Sequence, residues 1–570
     1  MRFAIFKENN KEFLLPEILT TYDQKQKLIF QSIYHIKNLH QQKLNLQYKF
    51  SEDLQTYLQG KALLLDEIPF PIEQIQEHYL NGYLKYNHGI ISAHDLKQFH
   101  EHYLNRYLKI NHGMTTHQNL YHCCRCGNES QHLFASFHCA RCNDDCVYCR
   151  KCITMGRVSQ CTPLITWTGP PTVYKNNIPS LNQLDASSRS VELQFKSHNP
   201  SQTQQDPSWH LQGPERKKHI LNWHGQLSLG QQKASYAVMN AINANTDLLV
   251  WAVCGSGKTE VLFKGIQSAL DQNKRICITT PRTDVVLELT PRLKQAFPDT
   301  NIIPLYGGSE DRGKTAQLTI STTHQLLRYY RNFDVVIIDE VDAFPYSVDE
   351  MLKFAVRKSK KEHSATIYLS ATPDQTLQLQ AKKRTLSTVT IPARYHRQPL
   401  PVPIFKWCGN WQKRMKKQKQ LPPNVITWIA THLQQQKQAF LFVPHIETQY
   451  KVVQILKQQN SNIEGVHAED PNRKEKVQAF RGGSIPILVT TTILERGVTV
   501  PNTDVAILGA EDDIFTESAL VQIAGRVGRS PKYPTGEVIF YHYGKTHAMN
   551  AARNQIVTMN QKGQKLGLVD

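Results

Sequence analysis

The arrangement of apolar residues changes at Trp223. Beyond it, short β-branched runs alternate with stretches in which apolar residues recur every three or four positions. The β-branched runs occupy residues 248–252, 276–279, 335–338, 366–369, 439–443, 487–490, 505–508 and 538–541. Strands that alternate with helices are typical of parallel sheets. A basic, proline-containing stretch near 392–423 divides the runs into two sets. We therefore predict an α/β fold with two parallel-sheet lobes, at 223–395 and 396–570.

The residues before Trp223 follow other patterns. Residues 1–118 alternate amphipathic stretches with polar breaks, which predicts a mainly helical region. Within it, residues 77–90 recur 24 positions later as 101–114, with three of the fourteen positions changed. Two copies are too few for a solenoid, so we expect a duplicated helical hairpin. Residues 166–222 are polar and rich in Pro, Ser, Gln and Asn, a composition typical of a linker.

Nine of the twelve cysteines lie between Cys123 and Cys161, and we predict a zinc-binding module at 119–165. In a reducing cytosol, clustered Cys-x-x-Cys pairs indicate metal rather than disulfides. Two residues between the thiols let a tight turn aim both sulfurs at one Zn²⁺, and a following Gly127 or Asn143 accepts the positive φ of that turn. Four thiolates leave no open position for water, so we expect a structural site.

The sequence spacing leaves open which cysteine pairs share a metal. The candidate pairs are Cys123 and Cys126, Cys139 and Cys142, and Cys149 and Cys152. The first pair completes a four-thiolate shell equally well with the second pair or with the third. A two-metal arrangement that uses most of the nine cysteines is a further alternative.

Composition narrows the class of protein. The 570 residues are 40% hydrophobic and 20% charged, which excludes a fully disordered chain, a disulfide scaffold and a coiled-coil rod. No apolar run is long enough to span a bilayer, and the N-terminus lacks the apolar core of a signal peptide. We expect a cytoplasmic protein without a transmembrane segment. The formal charge of +19 favours nucleic acid as partner, and an anionic membrane surface after it.

A predicted strand at 248–252 leads into a glycine-rich loop and then a helical stretch. The loop and the start of that helix contain Gly255, Ser256, Gly257, Lys258 and Thr259. This is a P-loop in its strand–loop–helix context, although its first position is Ala rather than Gly. The glycines let backbone N–H groups surround the phosphates of ATP, Lys258 neutralises β- and γ-phosphate charge, and Thr259 can hold Mg²⁺.

About 80 residues further on, a second apolar run ends in two carboxylates, Asp339 and Glu340. A carboxylate at the end of a buried strand is where a partner for Mg²⁺ belongs. The neighbouring Glu340 is placed to orient the attacking water. We predict both residues to be catalytic.

Two arginines near the end of the second lobe, Arg526 and Arg529, are three positions apart. On a helix they share one face, from which they could reach across an interlobe cleft to a γ-phosphate. Such a pair alone is usually a solvated face. The order of the surrounding motifs favours a catalytic role as arginine fingers.

Over residues 223–545 the motifs together resemble those of superfamily 2 helicases, which have two RecA-like lobes. Residues 227–231 resemble the adenine-reading motif, which implies Gln231 as a nucleotide contact. Residues 280–282 and 322–325 resemble strand-contacting motifs, and 370–372 resemble the Ser-Ala-Thr coupling motif. Residues 490–499 resemble motif V, which implies Gly497 as a further nucleotide-site residue.

A narrower resemblance is to the ComFA family of competence proteins. It rests on residues 323–327, 339–346, 491–499 and 525–530, and on Tyr-Cys-Arg-Lys-Cys-Ile at 148–153. The zinc element of that family uses a Cys-x-x-Cys-Gly pair and a Tyr-Cys-x-x-Cys pair. The resemblance favours a shell of Cys123, Cys126, Cys149 and Cys152. The additional pair, Cys139 and Cys142, leaves the number of zinc ions open.

The same resemblance implies an ATP-driven motor for single-stranded DNA that enters through a membrane channel during natural transformation. Its implied cofactors are ATP, Mg²⁺ and Zn²⁺, and its implied partners are single-stranded DNA, other competence proteins and the channel, met at the inner face of the membrane. A segment in which basic residues alternate with two tryptophans is a candidate contact for DNA or for a membrane surface. The alternative is a solvated loop. These residues are Lys406, Trp407, Trp411, Lys413, Arg414, Lys416, Lys417 and Lys419. The sequence leaves the oligomeric state open.

Two other functions compete with the translocase. A replication-restart helicase like PriA also combines a helicase core with zinc, but there we expect the metal cluster inside the helicase half. Here it precedes the P-loop by about 100 residues. A zinc-dependent, non-catalytic adaptor is the second alternative. It would not need Lys258, Asp339, Glu340, Arg526 and Arg529 together.

Overall fold

A computed structural model describes residues 2–8, 11–16, 29–32, 49–92, 120–140, 143–170, 219–496 and 500–570. Among these residues, no helix combines the length and apolarity needed to cross a bilayer. Two of the predicted site residues, Cys142 and Gly497, and the second copy of the duplication, 101–114, lie outside the described ranges.

The described part of the N-terminal region is mixed rather than mainly helical. Its elements are β1 (Arg2–Glu8), β2 (Lys11–Pro16), β3 (Ile29–Ser32), α1 (Glu52–Leu58), β4 (Ala62–Leu63), α2 (Ile72–Leu80), β5 (Leu84–Asn87) and β6 (Ile90–Ser92). Strands β1 and β2 pair antiparallel, with Glu8 opposite Lys11. Two short apolar runs, residues 3–6 and 13–15, flank the polar residues around Asn9 and Asn10, which is a hairpin signal that the helical interpretation overlooked. The first copy of the duplication is also a helix end followed by a strand, and not a helical hairpin.

The cysteine-rich segment joins the N-terminal region through its last strand. Its strands are β7 (Tyr121–Cys123), β8 (Phe134–Cys139), β9 (Asp144–Cys149) and β10 (Leu164–Trp167). Strands β8 and β9 form an antiparallel hairpin, β7 pairs with β6, and β10 lies between β4 and β5. Trp167 therefore belongs to a strand although it falls in the predicted linker. Most of that linker, 171–218, lies outside the described residues.

Lobe 1 is built on a parallel sheet of seven strands. Its strands are β11 (Leu248–Ala252), β12 (Ile276–Thr280), β13 (Ile302–Leu305), β14 (Leu318–Thr322), β15 (Phe333–Ile338), β16 (Lys360–Ser370) and β17 (Ser387–Ile391). The order across the sheet is β13-β14-β12-β15-β16-β11-β17. Its helices are α3 (Leu229–Ala244), α4 (Lys258–Asp271), α5 (Thr283–Ala296), α6 (Glu350–Ser359) and α7 (Gln375–Lys382).

The central strand β15 shows how the two faces of this sheet are covered. Val335 and Ile337 point into an apolar cluster with α3, α4 and α5. Val336 and Ile338 point into another cluster, with α6 and the cysteines of the N-terminal half. Alternation along a strand sends successive side chains to opposite faces, so a strand buried on both sides reads as a continuous apolar run. The cysteine-rich segment therefore packs on lobe 1.

Lobe 2 repeats the arrangement with six parallel strands. They are β18 (Ile404–Trp407), β19 (Ala439–Phe442), β20 (Glu464–Val466), β21 (Ile487–Thr490), β22 (Asp504–Leu508) and β23 (Val538–His542), in the order β18-β23-β22-β19-β21-β20. Its helices are α8 (Trp411–Gln418), α9 (Pro423–Gln434), α10 (Ile446–Lys457), α11 (Arg473–Arg481), α12 (Glu517–Ala524) and α13 (His547–Lys565). The predicted fold of two parallel-sheet lobes is confirmed.

Candidate active site

The glycine-rich loop connects β11 to α4 at the carboxyl edge of the lobe 1 sheet. Gly255 and Gly257 have φ angles of +79° and +71°, a region that only glycine occupies without strain. Helix α4 begins at Lys258, directly after Gly257. Backbone N–H groups of the loop and the positive end of the helix dipole therefore converge where an anion would bind.

Gln231 holds this loop through a hydrogen bond. Its side-chain N–H donates to the Ser256 carbonyl oxygen at 2.9 Å, and its Oε1 accepts the backbone N–H of Ser228 at 2.8 Å. Ser228 also caps α3, so the helix start and the P-loop share one hydrogen-bonded connection. The contact of Gln231 with adenine stays a prediction.

Asp339 and Glu340 follow the last residue of β15. The backbone N–H of Asp339 donates to the Thr279 carbonyl oxygen at 2.8 Å, which fixes the turn beside the P-loop. Burial, together with the charge of Glu340, raises the pKa of Asp339 to about 6, and the positive charge of Lys258 opposes this. Glu340 has φ of +58°, a strained left-handed backbone conformation of the kind that clusters at functional sites.

A cavity of about 150 Å³ lies between the lobes at this point. Lobe 1 contributes Thr259, Asp339 and Glu340 to its wall, and lobe 2 contributes Arg496, Gln522 and Arg529. Hydroxyl and carboxylate oxygens on one side suit Mg²⁺, and guanidinium groups on the other suit phosphate oxygens. The residues present therefore fit a nucleoside triphosphate with its magnesium ion.

The two predicted arginine fingers occupy different places. Arg529 lines the cavity and donates from Nε to the Gly525 carbonyl oxygen at 2.9 Å. Arg526 lies deeper, with only 4% of its surface exposed. Burial, together with the nearby charge of Arg529, lowers the pKa of Arg526 well below its ordinary value. The structure thus brings Arg529 to the cavity wall and Arg526 into the interface behind it.

The P-loop and helix α12 touch directly. The Cys254 thiol donates to Oε1 of Gln522 at 3.1 Å. A side chain at Gly525 would come within 2.5 Å of the Cys254 Cβ atom, so this glycine allows the close approach of the two lobes. Arg394, in the segment that joins the lobes, donates to the Gly528 carbonyl oxygen at 2.6 Å. Arg394 belongs to none of the motifs identified in the sequence, so its contact with lobe 2 was not predicted.

A buried ion-pair network also crosses the interface, and it was not predicted. Asp342 in lobe 1 pairs with Nη2 of Arg496 in lobe 2. Nη1 of Arg496 lies 3.3 Å from a Glu340 carboxylate oxygen. Asp342 also accepts hydrogen bonds from Ser370 and Thr372, each at 2.7 Å. Both ionic partners belong to motifs that the sequence resemblance had identified, which was the available signal.

Electrostatics make this network a strong connection. Burial alone would raise the pKa of Asp342, but the Arg496 guanidinium and the hydroxyl donors outweigh it and hold that pKa well below its usual range. Burial likewise would lower the pKa of Arg496, and its carboxylate neighbours raise it instead. Both groups are therefore charged, and Ser518 of lobe 2 adds a hydrogen bond to Asp342 at 2.9 Å.

The cysteines favoured by the family resemblance converge on one point. The four thiols of Cys123, Cys126, Cys149 and Cys152 all lie within 4.8 Å of one another. Two of the sulfur–sulfur distances are 3.9 Å and 3.6 Å. Sulfurs held 2.3 Å from a tetrahedral Zn²⁺ are about 3.8 Å apart, so this shell fits zinc. Cys139 lies outside this shell.

The four-cysteine shell is anchored to lobe 1 by charged side chains. Lys358 of α6 donates to the carbonyl oxygens of Arg125 and Leu327 at 2.8 Å and 2.7 Å. Glu67 receives hydrogen bonds from both Arg125 and Arg328 at 2.8 Å. Arg125 lies between the first two cysteines, so the metal loop, the N-terminal region and lobe 1 share one network.

Only one of the two tryptophans in the basic stretch near 406–419 is exposed. Trp407 is 66% exposed at the edge of the lobe 2 sheet. Trp411 is 3% exposed and donates to Oε1 of Glu511 at 2.8 Å, so it is not available to stack on a base. Lysines 413, 416, 417 and 419 are exposed. The stretch offers a charged surface with one exposed tryptophan.

Three known protein families match parts of this chain. Residues 42–99 and 92–166 match the competence protein ComFA N-terminal domain. Residues 225–375 match the type III restriction enzyme res subunit, and 420–531 match the helicase conserved C-terminal domain. Each of the two N-terminal ranges contains one copy of the duplicated segment.

Individual relatives extend these matches. Competence protein ComFA of Bacillus subtilis is 45% identical over 521 residues, which cover 91% of this chain and 98% of that protein. Competence protein ComFA of Streptococcus pneumoniae is 38% identical and covers 61% of this chain and 80% of that protein. A solved structure of S. cerevisiae Dbp5 bound to RNA and ADP BeF3 has a TM-score of 0.42 at 15% identity, covering 58% of this chain and 91% of that one.

Proposed function

Because this chain belongs to the ComFA family of competence proteins, we propose that it is an ATP-driven translocase that pulls single-stranded DNA into the cell during natural transformation. Its two helicase-type ATPase lobes make it an ATP-hydrolysing enzyme. The observation that carries the proposal is the interlobe cavity, where Thr259, Asp339 and Glu340 face Arg529 of the other lobe.

The residues of the P-loop and the cavity divide the steps of hydrolysis among them. Backbone N–H groups between Gly255 and Lys258 bind the phosphates, and the Lys258 ammonium offsets their charge. Mg²⁺ would be held by Thr259 and Asp339 and would supply further charge neutralisation. Glu340 accepts a hydrogen bond from the attacking water and orients it toward the γ-phosphate. Arg529 stabilises the negative charge that spreads over the transferred phosphoryl group.

Hydrolysis becomes movement through the contacts between the lobes. Arg496 forms ion pairs with Glu340, which orients the water, and with Asp342. Asp342 in turn accepts hydrogen bonds from Ser370 and Thr372. Loss of the γ-phosphate removes the charge that Arg529 and Lys258 share, and the lobes then part. Rigid-body opening and closing around a ligand changes the grip of each lobe on a bound strand.

The strand itself would be held by phosphate contacts. The net charge of +19 raises the local concentration of any polyanion. Trp407 and the exposed lysines beside it offer phosphate contacts and one stacking platform. We place the protein in the cytoplasm and at the inner face of the membrane, where other competence proteins and the DNA channel would meet it.

The four-cysteine shell is proposed to hold one structural Zn²⁺. Four thiolates fill a tetrahedral shell, so the ion has no open position for catalysis. Its contribution is to fold the loop that carries Arg125 and so to hold the N-terminal region against α6 and the turn at 323–328. This keeps the N-terminal region in contact with a motif that resembles a strand-contacting element.

The experiment compares ATP hydrolysis by the whole protein with single-stranded DNA, duplex DNA, RNA and no nucleic acid. We expect single-stranded DNA to give the largest stimulation. Lys258→Ala should lower kcat on the order of a hundredfold while DNA binding persists, because it removes charge stabilisation in the transition state. Lys264→Ala, on the same helix and outside the cavity, is the matched control.

Other outcomes would support the alternatives. ATP hydrolysis indifferent to every nucleic acid would contradict the translocase. Efficient unwinding of a forked duplex would favour the replication-restart helicase. A Lys258→Ala strain that still takes up DNA, beside a Cys126→Ser strain that does not, would favour the zinc-dependent adaptor.

A further inference from the structure

A second group of thiols lies at the other end of the β8–β9 hairpin. The sulfurs of Cys139, Cys146 and Cys161 all lie within 4.8 Å of one another, and those of Cys139 and Cys161 are 3.3 Å apart. Cys139 and Cys146 are 6% and 5% exposed. In the hairpin register Cys149 lies opposite Phe134 at the base, whereas Cys139 lies opposite Asp144 at the tip. The two groups of thiols therefore occupy opposite ends of one hairpin.

One hydrogen bond at the tip of the hairpin matches a hydrogen bond in the four-cysteine loop. Gly127 follows the pair at Cys123 with φ of +70°, and its N–H donates to the Cys123 carbonyl oxygen at 2.8 Å. Asn143 follows Cys139 at the same spacing with φ of +48°, and its N–H donates to the Cys139 carbonyl oxygen, also at 2.8 Å.

The third thiol is positioned by backbone contacts of its own. The Gln160 N–H donates to the Val147 carbonyl oxygen at 3.0 Å, and Ser159 forms an isolated bridge with Tyr148. These contacts hold the loop before β10 against β9 and bring Cys161 to the hairpin tip. The Ser159 hydroxyl lies 3.3 Å from the Cys161 sulfur.

We propose that Cys139, Cys146 and Cys161 bind a second zinc ion. Three thiolates occupy three of the four tetrahedral positions that Zn²⁺ prefers. Zn²⁺ replaces the thiol protons, and each proton passes to solvent. The ion would join the hairpin tip to the loop that leads into β10, a connection that the first shell does not make.

The test is the zinc content of the whole protein, purified under reducing conditions without chelator and measured by elemental mass spectrometry. Wild type is expected to carry two zinc ions per chain. The double variant Cys139→Ser/Cys146→Ser should carry one, because it removes two of the three thiolates. Cys124→Ser should keep both ions, since Cys124 is next to the first loop but belongs to neither group of thiols. The measurement uses neither ATP nor DNA, so its result is independent of the proposed translocase activity.

Cobalt titration of metal-free wild type provides the second measurement, since the double variant can lose both ions if its hairpin unfolds. Two equivalents of Co²⁺ should each produce thiolate-to-metal absorption. Saturation at one equivalent, or one zinc ion in wild type, would overturn the second site. So would an unchanged zinc content in the double variant, or a Cys139–Cys161 disulfide in the reduced protein found by peptide mass spectrometry.

Discussion

Asp342 and Arg496 form the most buried ionic contact between the lobes, with 3% and 2% of their side chains exposed. Removal of one member of such a pair leaves the other charge without compensation, at about 3–5 kcal/mol. The pair also links Glu340, which we propose to orient the attacking water, to Ser370 and Thr372. We therefore expect the closed arrangement of the lobes to depend on the state of the cavity.

We predict that Arg496→Ala lowers DNA-stimulated kcat on the order of a hundredfold, because the charges that close the cavity are no longer paired. Arg496→Lys should restore only part of the activity, since an ammonium cannot pair with two carboxylates in the fork geometry of arginine. Steady-state ATPase measurements with single-stranded DNA provide the check.

The matched control for this prediction is Arg473→Ala. Arg473 also pairs across the lobes, with Asp284 at 3.9 Å, but 32% and 41% of these side chains are exposed. Exposed pairs contribute about 0–1 kcal/mol, so the control should change kcat little. Equal losses in the two variants would contradict the special role of the buried pair.

Residues that belong to a local motif could be predicted from sequence, whereas contacts between motifs could not. Gly255, Lys258 and Asp339 are read from spacing and flanking strands alone, because the chemistry of the P-loop is set by neighbouring residues. Arg496 and Asp342 are 154 positions apart, and nothing in either segment states that they meet. The sequence likewise does not indicate that Cys254 and Gln522 form a hydrogen bond.

At the scale of elements, β-branched runs predicted eight of the thirteen described strands of the two lobes, because burial on two faces makes such strands continuously apolar. The strands β13, β14, β17, β18 and β20 were not predicted. Strands β1 and β2 were missed because their apolar residues form short continuous runs, which do not by themselves distinguish a strand from a helix. The duplicated segment was also misread. Its first copy ends helix α2 and then continues as β5, so one repeat contains two kinds of element.

The metal loop and α6 are expected to depend on each other. Lys358 contacts the carbonyl oxygen of Arg125 inside the four-cysteine loop, and the ring of Phe354 packs against Gly127. Burial lowers the pKa of Lys358 to about 8, and the nearby thiolates oppose this shift. Loss of zinc would therefore loosen a helix of lobe 1 as well as the cysteine-rich segment.

We predict that removal of zinc by a chelator increases backbone amide exchange in β8, β9 and α6, because a structural Zn²⁺ contributes folding free energy directly. Hydrogen–deuterium exchange with and without chelator is the measurement. The strands β19 and β22 in lobe 2 have no contact with the shell and serve as the internal reference. Identical exchange of α6 in the two samples would contradict the coupling.

At the scale of the whole molecule, the two lobes close on a cavity whose walls come from both. Resemblance predicted the order of the motifs and the two-lobed fold, but the depth of Arg526 and the exposure of Arg529 follow only from packing. Since Arg529 belongs to lobe 2 and the P-loop to lobe 1, neither half has a complete site. We therefore expect catalysis to require closure of the lobes.

Streptavidin displacement from the end of a biotinylated single-stranded oligonucleotide tests this account most directly, because it reports movement along the strand. We predict displacement that requires ATP, that Lys258→Ala abolishes and that Arg529→Ala reduces at least about tenfold, although Arg529 lies on the opposite lobe from the P-loop. Full displacement by Arg529→Ala, or displacement without ATP, would contradict the claim that a nucleotide held between the lobes drives the strand.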